Sequence, residues 1–213
     1  MNFTLSTKTF LTIIYIVGII GICSPFQYYF LILTPINLLL TFFFIVKAHK
    51  NLNLENIVVL TILILTTWTI EAIGINTGEI FGAYGYGKVL GFKIFSTPPM
   101  IGINWAILVL GTGYWLKSIK IKNTLLFSFL GAIILTILDI LIEPVAIKLD
   151  FWHWKTQTPP LQNYLAWFII SFLIFILFPK KYFNTKNDIA VWCLGLQFMF
   201  FFILNLASYF IDL

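Results

Sequence analysis

Arginine is absent from the chain, so all thirteen basic residues are lysines. A nucleic-acid reader grips phosphates and base edges with arginine forks, and their absence argues against that class. Charge of either sign is scarce, at 10% of residues against 60% hydrophobic, and mean hydropathy is +0.98. No hydrophilic stretch is long enough for a second domain, so residues 1–213 read as one polytopic membrane domain. The two cysteines, Cys23 and Cys193, lie in or beside apolar runs and suggest neither a disulfide framework nor a metal site. The two histidines, His49 and His153, are far apart, which argues against haem or metal. His49, beside lysines, is expected to be solvated. No P-loop, nucleophile elbow or dinucleotide fingerprint occurs. The last apolar run has no lysine for a Schiff base, which excludes a rhodopsin. Near the N-terminus no small-residue cleavage site follows the first apolar run, and Ile22 before Cys23 spoils a lipoprotein signal. We expect an uncleaved first helix.

What the chain has is repeated apolar runs. At about 20 residues per crossing, seven transmembrane helices are expected, near 8–24, 27–46, 54–76, 99–117, 123–147, 161–179 and 188–211. The fold class is therefore all-α integral membrane. Connections on the N-terminal side carry nine lysines (Lys8, Lys47, Lys50, Lys117, Lys120, Lys122, Lys180, Lys181 and Lys186). The opposite side carries Lys88, Lys93, Lys148 and Lys155. The positive-inside rule then puts the N-terminus in the cytoplasm of a multi-pass protein of the cell membrane.

The stretch from Trp68 to Pro99 stands apart. It carries Glu71 into hydrocarbon, then leaves through a loop rich in Gly, Tyr and Phe. A Gly-Tyr alternation there gives a chain that folds back with its rings pointing one way. Glu55 and Asp188 sit in first helical turns, where a negative charge complements the dipole, while Asp150 is in a loop and Asp212 near the end. Glu71, Glu79, Asp139 and Glu143 have no such explanation. An ionisable group in hydrocarbon marks function by default, although protonated acids bridging helices would also account for them. No buried base is available to pair with them, so one or more is expected to be neutral and able to donate a proton. Counting 1.5 Å per residue, Glu71, Asp139, Glu143, Asn104, Trp105 and Asn205 reach one layer in the outer third of the bilayer. Glu71, Asp139 and Asn104 are expected around one cavity. Trp68 and Trp105 lie near that layer. Trp152 and Trp154 suit an interfacial belt, with His153 between them as a proton relay or an interfacial residue.

Three pieces of sequence resemble one known family: EAIGINTGEIFGAYGYGKVLG, the following TPPMIGINW, and DILIEPVAIKLDFWHW. The family is that of the membrane carotenoid biosynthesis proteins, which includes bisanhydrobacterioruberin hydratase and the γ-carotene 1'-hydroxylases. The pieces cover roughly a third of the chain. Thr97, before Pro98-Pro99, stands where an apolar residue is expected. The resemblance implies a cofactor-free hydratase that adds water across the terminal double bond of an acyclic carotenoid end. Asp139 would be the acid, Glu143 its ionised partner, and Glu71 a water-positioning or second acidic group. Trp68, Glu79, Tyr84, Tyr86, Asn104, Trp105, Trp152, His153 and Asn205 would line the substrate site. Indole and phenol faces would stabilise a tertiary carbocation by about 0.5–2 kcal/mol each. The partners implied are a lipophilic carotenoid, water and membrane lipids. The competing class is a small transporter or lipid-binding scaffold. Neither an inverted repeat nor a matched pair of broken helices supports it.

Overall fold

A computed structural model describes residues 3–49, 52–178 and 180–211. Lys50, Asp212 and the expected end of the sixth span at Pro179 lie outside the described residues. The helices are α1 (Phe3–Ile22), α2 (Gln27–Ile32), α3 (Thr34–Lys47), α4 (Leu54–Thr77), α5 (Met100–Ser118), α6 (Thr124–Lys148), α7 (Leu161–Leu177) and α8 (Asp188–Ala207). A short 3₁₀ turn, Lys180–Asn184, precedes α8.

Asparagines start three of these helices. The side chains of Asn53, Asn123 and Asn187 accept hydrogen bonds from the backbone N–H groups of Asn56, Leu126 and Ala190. Each such cap supplies an acceptor to an otherwise orphan donor and is worth about 1 kcal/mol. Glu55 and Asp188 occupy the first turns of α4 and α8, as the dipole argument anticipates. Helix α4 ends at Gly78, whose φ of 74° is the left-handed conformation that glycine adopts without penalty.

Among the described residues four helices are long and apolar enough to cross a membrane: α1, α4, α6 and α8. The expected seven are not all of that kind. The second expected span is broken at Leu33 into helices of six and fourteen residues, since Pro35 can sit only in the first turn of a new helix. Helix α7 has 17 residues and starts after Pro159-Pro160. Helix α5 is long enough but carries Asn104, Thr112 and three glycines. It can afford them because it is walled by protein, packing against α3, α4, α6 and α8. The run from Trp105 to Tyr114 is buried without a break. Small residues admit its neighbours closely: a Cβ on Gly111 would lie 2.8 Å from Leu194 of α8.

The all-helical expectation misses one element. Tyr84–Tyr86 (β1) pairs antiparallel with Trp152–Trp154 (β2), in the register Tyr84 to Trp154, Gly85 to His153 and Tyr86 to Trp152. The two long loops therefore share one face of the bundle and lock together over the ends of α4, α5 and α6.

At the opposite end His49 is buried, not solvated, at 6% exposure. Its Nδ1 lies 2.5 Å from the Tyr114 hydroxyl, its Nε2 lies 3.1 Å from Asn56 Nδ2, and its ring stacks on Tyr182 at 4.6 Å. Lys181 pairs with Glu55 beside it.

Candidate active site

Each of three acids is brought to one place by a different part of this frame. Glu71 lies near the end of α4, with Asp139 and Glu143 one turn apart on α6, so that both point the same way. All three are at most 4% exposed, and none takes part in an ion pair among the described residues.

The sheet supplies the donors. Alternate residues of a strand face the same side, so Tyr84, Tyr86, Trp152 and Trp154 share the face that covers the acids. The Tyr84 and Tyr86 hydroxyls donate to Glu71 Oε2 at 2.6 and 2.8 Å, and Trp105 Nε1 donates to Oε1 at 3.0 Å. The indole N–H groups of Trp152 and Trp154 donate to Glu143 Oε2 at 3.1 and 2.8 Å. Asn163, in the first turn of α7, divides its Nδ2 between Glu143 Oε1 at 3.2 Å and Asp139 Oδ2 at 2.8 Å. Each glutamate thus accepts three hydrogen bonds. Asp139 accepts one, and its buried Oδ1 has no partner among the described residues. Burial and the neighbouring carboxylates push the Tyr84 and Tyr86 hydroxyls far above their ordinary value, so both remain donors.

The three acids line a cavity of about 20 Å³, with Asn163 and Trp167 also in its wall. That is room for a single water molecule. Trp167 stacks on Trp105 with centroids 4.0 Å apart and planes 14° apart, a contact worth about 0.5–1.5 kcal/mol beyond its buried area.

The family signature described as carotenoid biosynthesis protein matches residues 26–212. The chain belongs to that family. No curated protein and no solved structure matches it. As a carotenoid biosynthesis protein of the membrane it has a role in making these pigments, and the match takes in every residue of the acid cavity.

Other candidates lie elsewhere in this carotenoid biosynthesis protein. Asn104 is not in the acid cavity but in the wall of its neighbour, where it accepts from Gln197 Nε2 at 3.4 Å. Trp68 turns its Nε1 to the Thr97 carbonyl at 3.4 Å and packs by Phe95, supporting the loop. Thr97 itself is fully buried there. Glu79 is exposed, because α4 has ended before it, and its carbonyl accepts from Gln162. His153 is exposed on the far face of the sheet, as strand parity requires. Asn205 donates to the carbonyls of Leu141 at 2.7 Å and Phe201 at 2.8 Å, tying α8 to α6 beside the helix-internal Pro144. Trp152 and Trp154 are not belt residues, since their N–H groups are spent on Glu143. Sequence reasoning missed Asn163, Trp154 and Trp167 as site residues. Strand parity with Trp152 was the available signal for Trp154.

Proposed function

We propose that this protein is a cofactor-independent carotenoid hydratase, a hydro-lyase that adds water across the terminal double bond of an acyclic carotenoid end. The observation that carries the reading is Asp139 Oδ1, which has no partner among the described residues, in a one-water cavity beside two glutamates that each accept three hydrogen bonds. A protonated Asp139 gives its proton to the terminal alkene carbon that becomes CH₂, and the π electrons leave a tertiary cation at the neighbouring carbon. Glu71 and Glu143, as carboxylates, and the indole faces of Trp152 and Trp167 lower the energy of that cation. The confined water, placed by Glu71, forms the new C–O bond and loses a proton to Glu143. Transfer of that proton to Asp139, which shares Asn163 with Glu143, resets the site.

We further propose seven crossings, with α2 and α3 together forming the second, a cytoplasmic N-terminus, and residence in the cell membrane. The test of function is the pigment made when the gene is expressed in a host that accumulates lycopene or γ-carotene. A hydratase yields a tertiary alcohol, heavier than the starting carotenoid by one water. Unchanged pigment, with the protein folded in the membrane, would favour a transporter or scaffold instead.

A further inference from the structure

A cavity that holds one water cannot also hold a polyene, so the substrate end must be seated next door. Two larger cavities lie in series with the acid cavity. The first, of about 80 Å³, shares Ile101 and Trp152 with it and lies between the starts of α3 and α5 and the middle of α8. The second, of about 290 Å³, shares Tyr15, Thr34, Asn37 and Phe200 with the first and lies between α1 and the α2–α3 break. Its wall includes Ile13, Val17 and Leu33, which are 54%, 48% and 49% exposed on the apolar flank of the bundle. Volume therefore falls stepwise, from a cleft open to lipid down to the acids.

We propose that this series is a lateral passage, through which the linear end of a carotenoid slides from the bilayer between α1 and α2–α3 until its terminal double bond meets the acid cavity at Ile101 and Trp152. The proposal rests on the hydratase reading for its last step, but the passage itself is a matter of binding. The break at Leu33 has a use here. A helix of six residues set off from α3 leaves the cleft that a straight helix through Pro35 would close. The middle cavity is lined by polar as well as apolar groups: Gln197 donates to Asn104, and Asn37 Oδ1 has no partner among the described residues. A purely apolar chain gains nothing from them. The hydroxyl made by hydration does, because it must go back through the same cavity and finds an acceptor there. Helix α1 forms one wall of the cleft and precedes the matched family region.

Plugging the cleft tests this. Gly18 lines it, and a Cβ there would meet only Phe200, at 3.6 Å. G18L accordingly fits the backbone and fills the cleft, and N37F fills its junction with the middle cavity. On the opposite flank of α8, Gly195 has open space around it, so G195L is the control. In a lycopene-producing host, two quantities are read per unit of protein that elutes as a single species in detergent: lycopene retained on the protein, and tertiary alcohol formed. We expect G18L and N37F to lower both at least tenfold, with G195L matching the wild type. Should one plugged variant fail to fold, the other decides. If the wild type retains lycopene but makes no alcohol, the hydratase reading falls, and the passage still stands or falls by retained lycopene. Plugged variants that retain lycopene as the wild type does overturn the passage. A wild type that neither retains nor converts lycopene overturns both.

Discussion

At the scale of single residues, the three acids differ in how many donors each has, and that difference assigns their roles. An amide replacement keeps the shape of a carboxyl but cannot give up an acidic proton. Asp139→Asn is expected to lower hydration by about 10²–10⁴-fold, the usual worth of a positioned general acid, measured as alcohol formed per enzyme in membranes supplied with lycopene. Glu143→Gln should lose less, since it removes only the base that accepts a proton from water. If Asp139→Asn is active and Glu71→Gln is dead, the donor is Glu71. These acids were legible in the sequence because charge in hydrocarbon is costly enough to demand a reason. The tyrosines were legible too, since alternation with glycine puts Tyr84 and Tyr86 on one face. Asn163 was not, because three residues after a proline pair it reads as an ordinary helix start. Which helix faces which is invisible to one sequence, and the bond from Asn163 to Asp139 depends wholly on α7 lying against α6. The direction of Trp68 toward the Thr97 carbonyl is invisible for the same reason, whereas Glu79 falls outside the site because α4 stops at Thr77.

At the scale of elements, the sheet is held by close approach at its margin. Gly87 donates its backbone N–H to the Phe151 carbonyl at 2.9 Å, and a Cβ on it would lie 1.8 Å from the Asp150 carbonyl oxygen. Gly87→Ala must push β1 away from β2, and with it four of the donors that hold Glu71 and Glu143. We expect loss of most hydration, with a lowered thermal midpoint in detergent. Wild-type activity in this variant would show that the sheet is a cover only. The His49 cluster is the matching joint at the other end. There Tyr114 of α5 and Asn56 of α4 meet at one imidazole, Tyr114 also donates to the Tyr182 carbonyl at 3.3 Å, and nearby Asn187 Nδ2 ties the start of α8 to the Ile45 carbonyl of α3 at 2.9 Å. Burial pushes that imidazole below its ordinary value. The neutral ring is thus the form the fold prefers, and its contribution is complete above about 6.5, the ordinary imidazole value. It is lost as pH falls through the lowered one. The thermal midpoint should therefore drop between pH 7.5 and 5.5, and His49→Gln should drop less. An equal drop in both would acquit the histidine. Nothing in the sequence announced this cluster, since a histidine beside lysines reads as solvated until Asn56, Tyr114 and Tyr182 are brought around it.

At the scale of the whole molecule, the proposed direction in which the bundle crosses the bilayer rests on lysine placement. Pairing of β1 with β2 puts Lys148 at the end of α6, and the loops that carry Lys88, Lys93 and Lys155, at one end. The contact between Lys181 and Glu55, with His49 between α3 and α5, gathers the ends of α3, α4, α5 and α8 at the other. The second end holds most of the lysines, and short loops rich in lysine stay in the cytoplasm. Lys88 and Lys120 are both exposed and lie at opposite ends, so each can carry a reporter thiol once Cys23 and Cys193 are replaced by serine. A thiol reagent that does not cross membranes should label K88C on intact cells, and label K120C only after the membrane is opened. The reverse pattern would invert the bundle and move the acid cavity to the inner leaflet. It would leave the site chemistry untouched but require the carotenoid end to reach it from the cytoplasmic half of the bilayer.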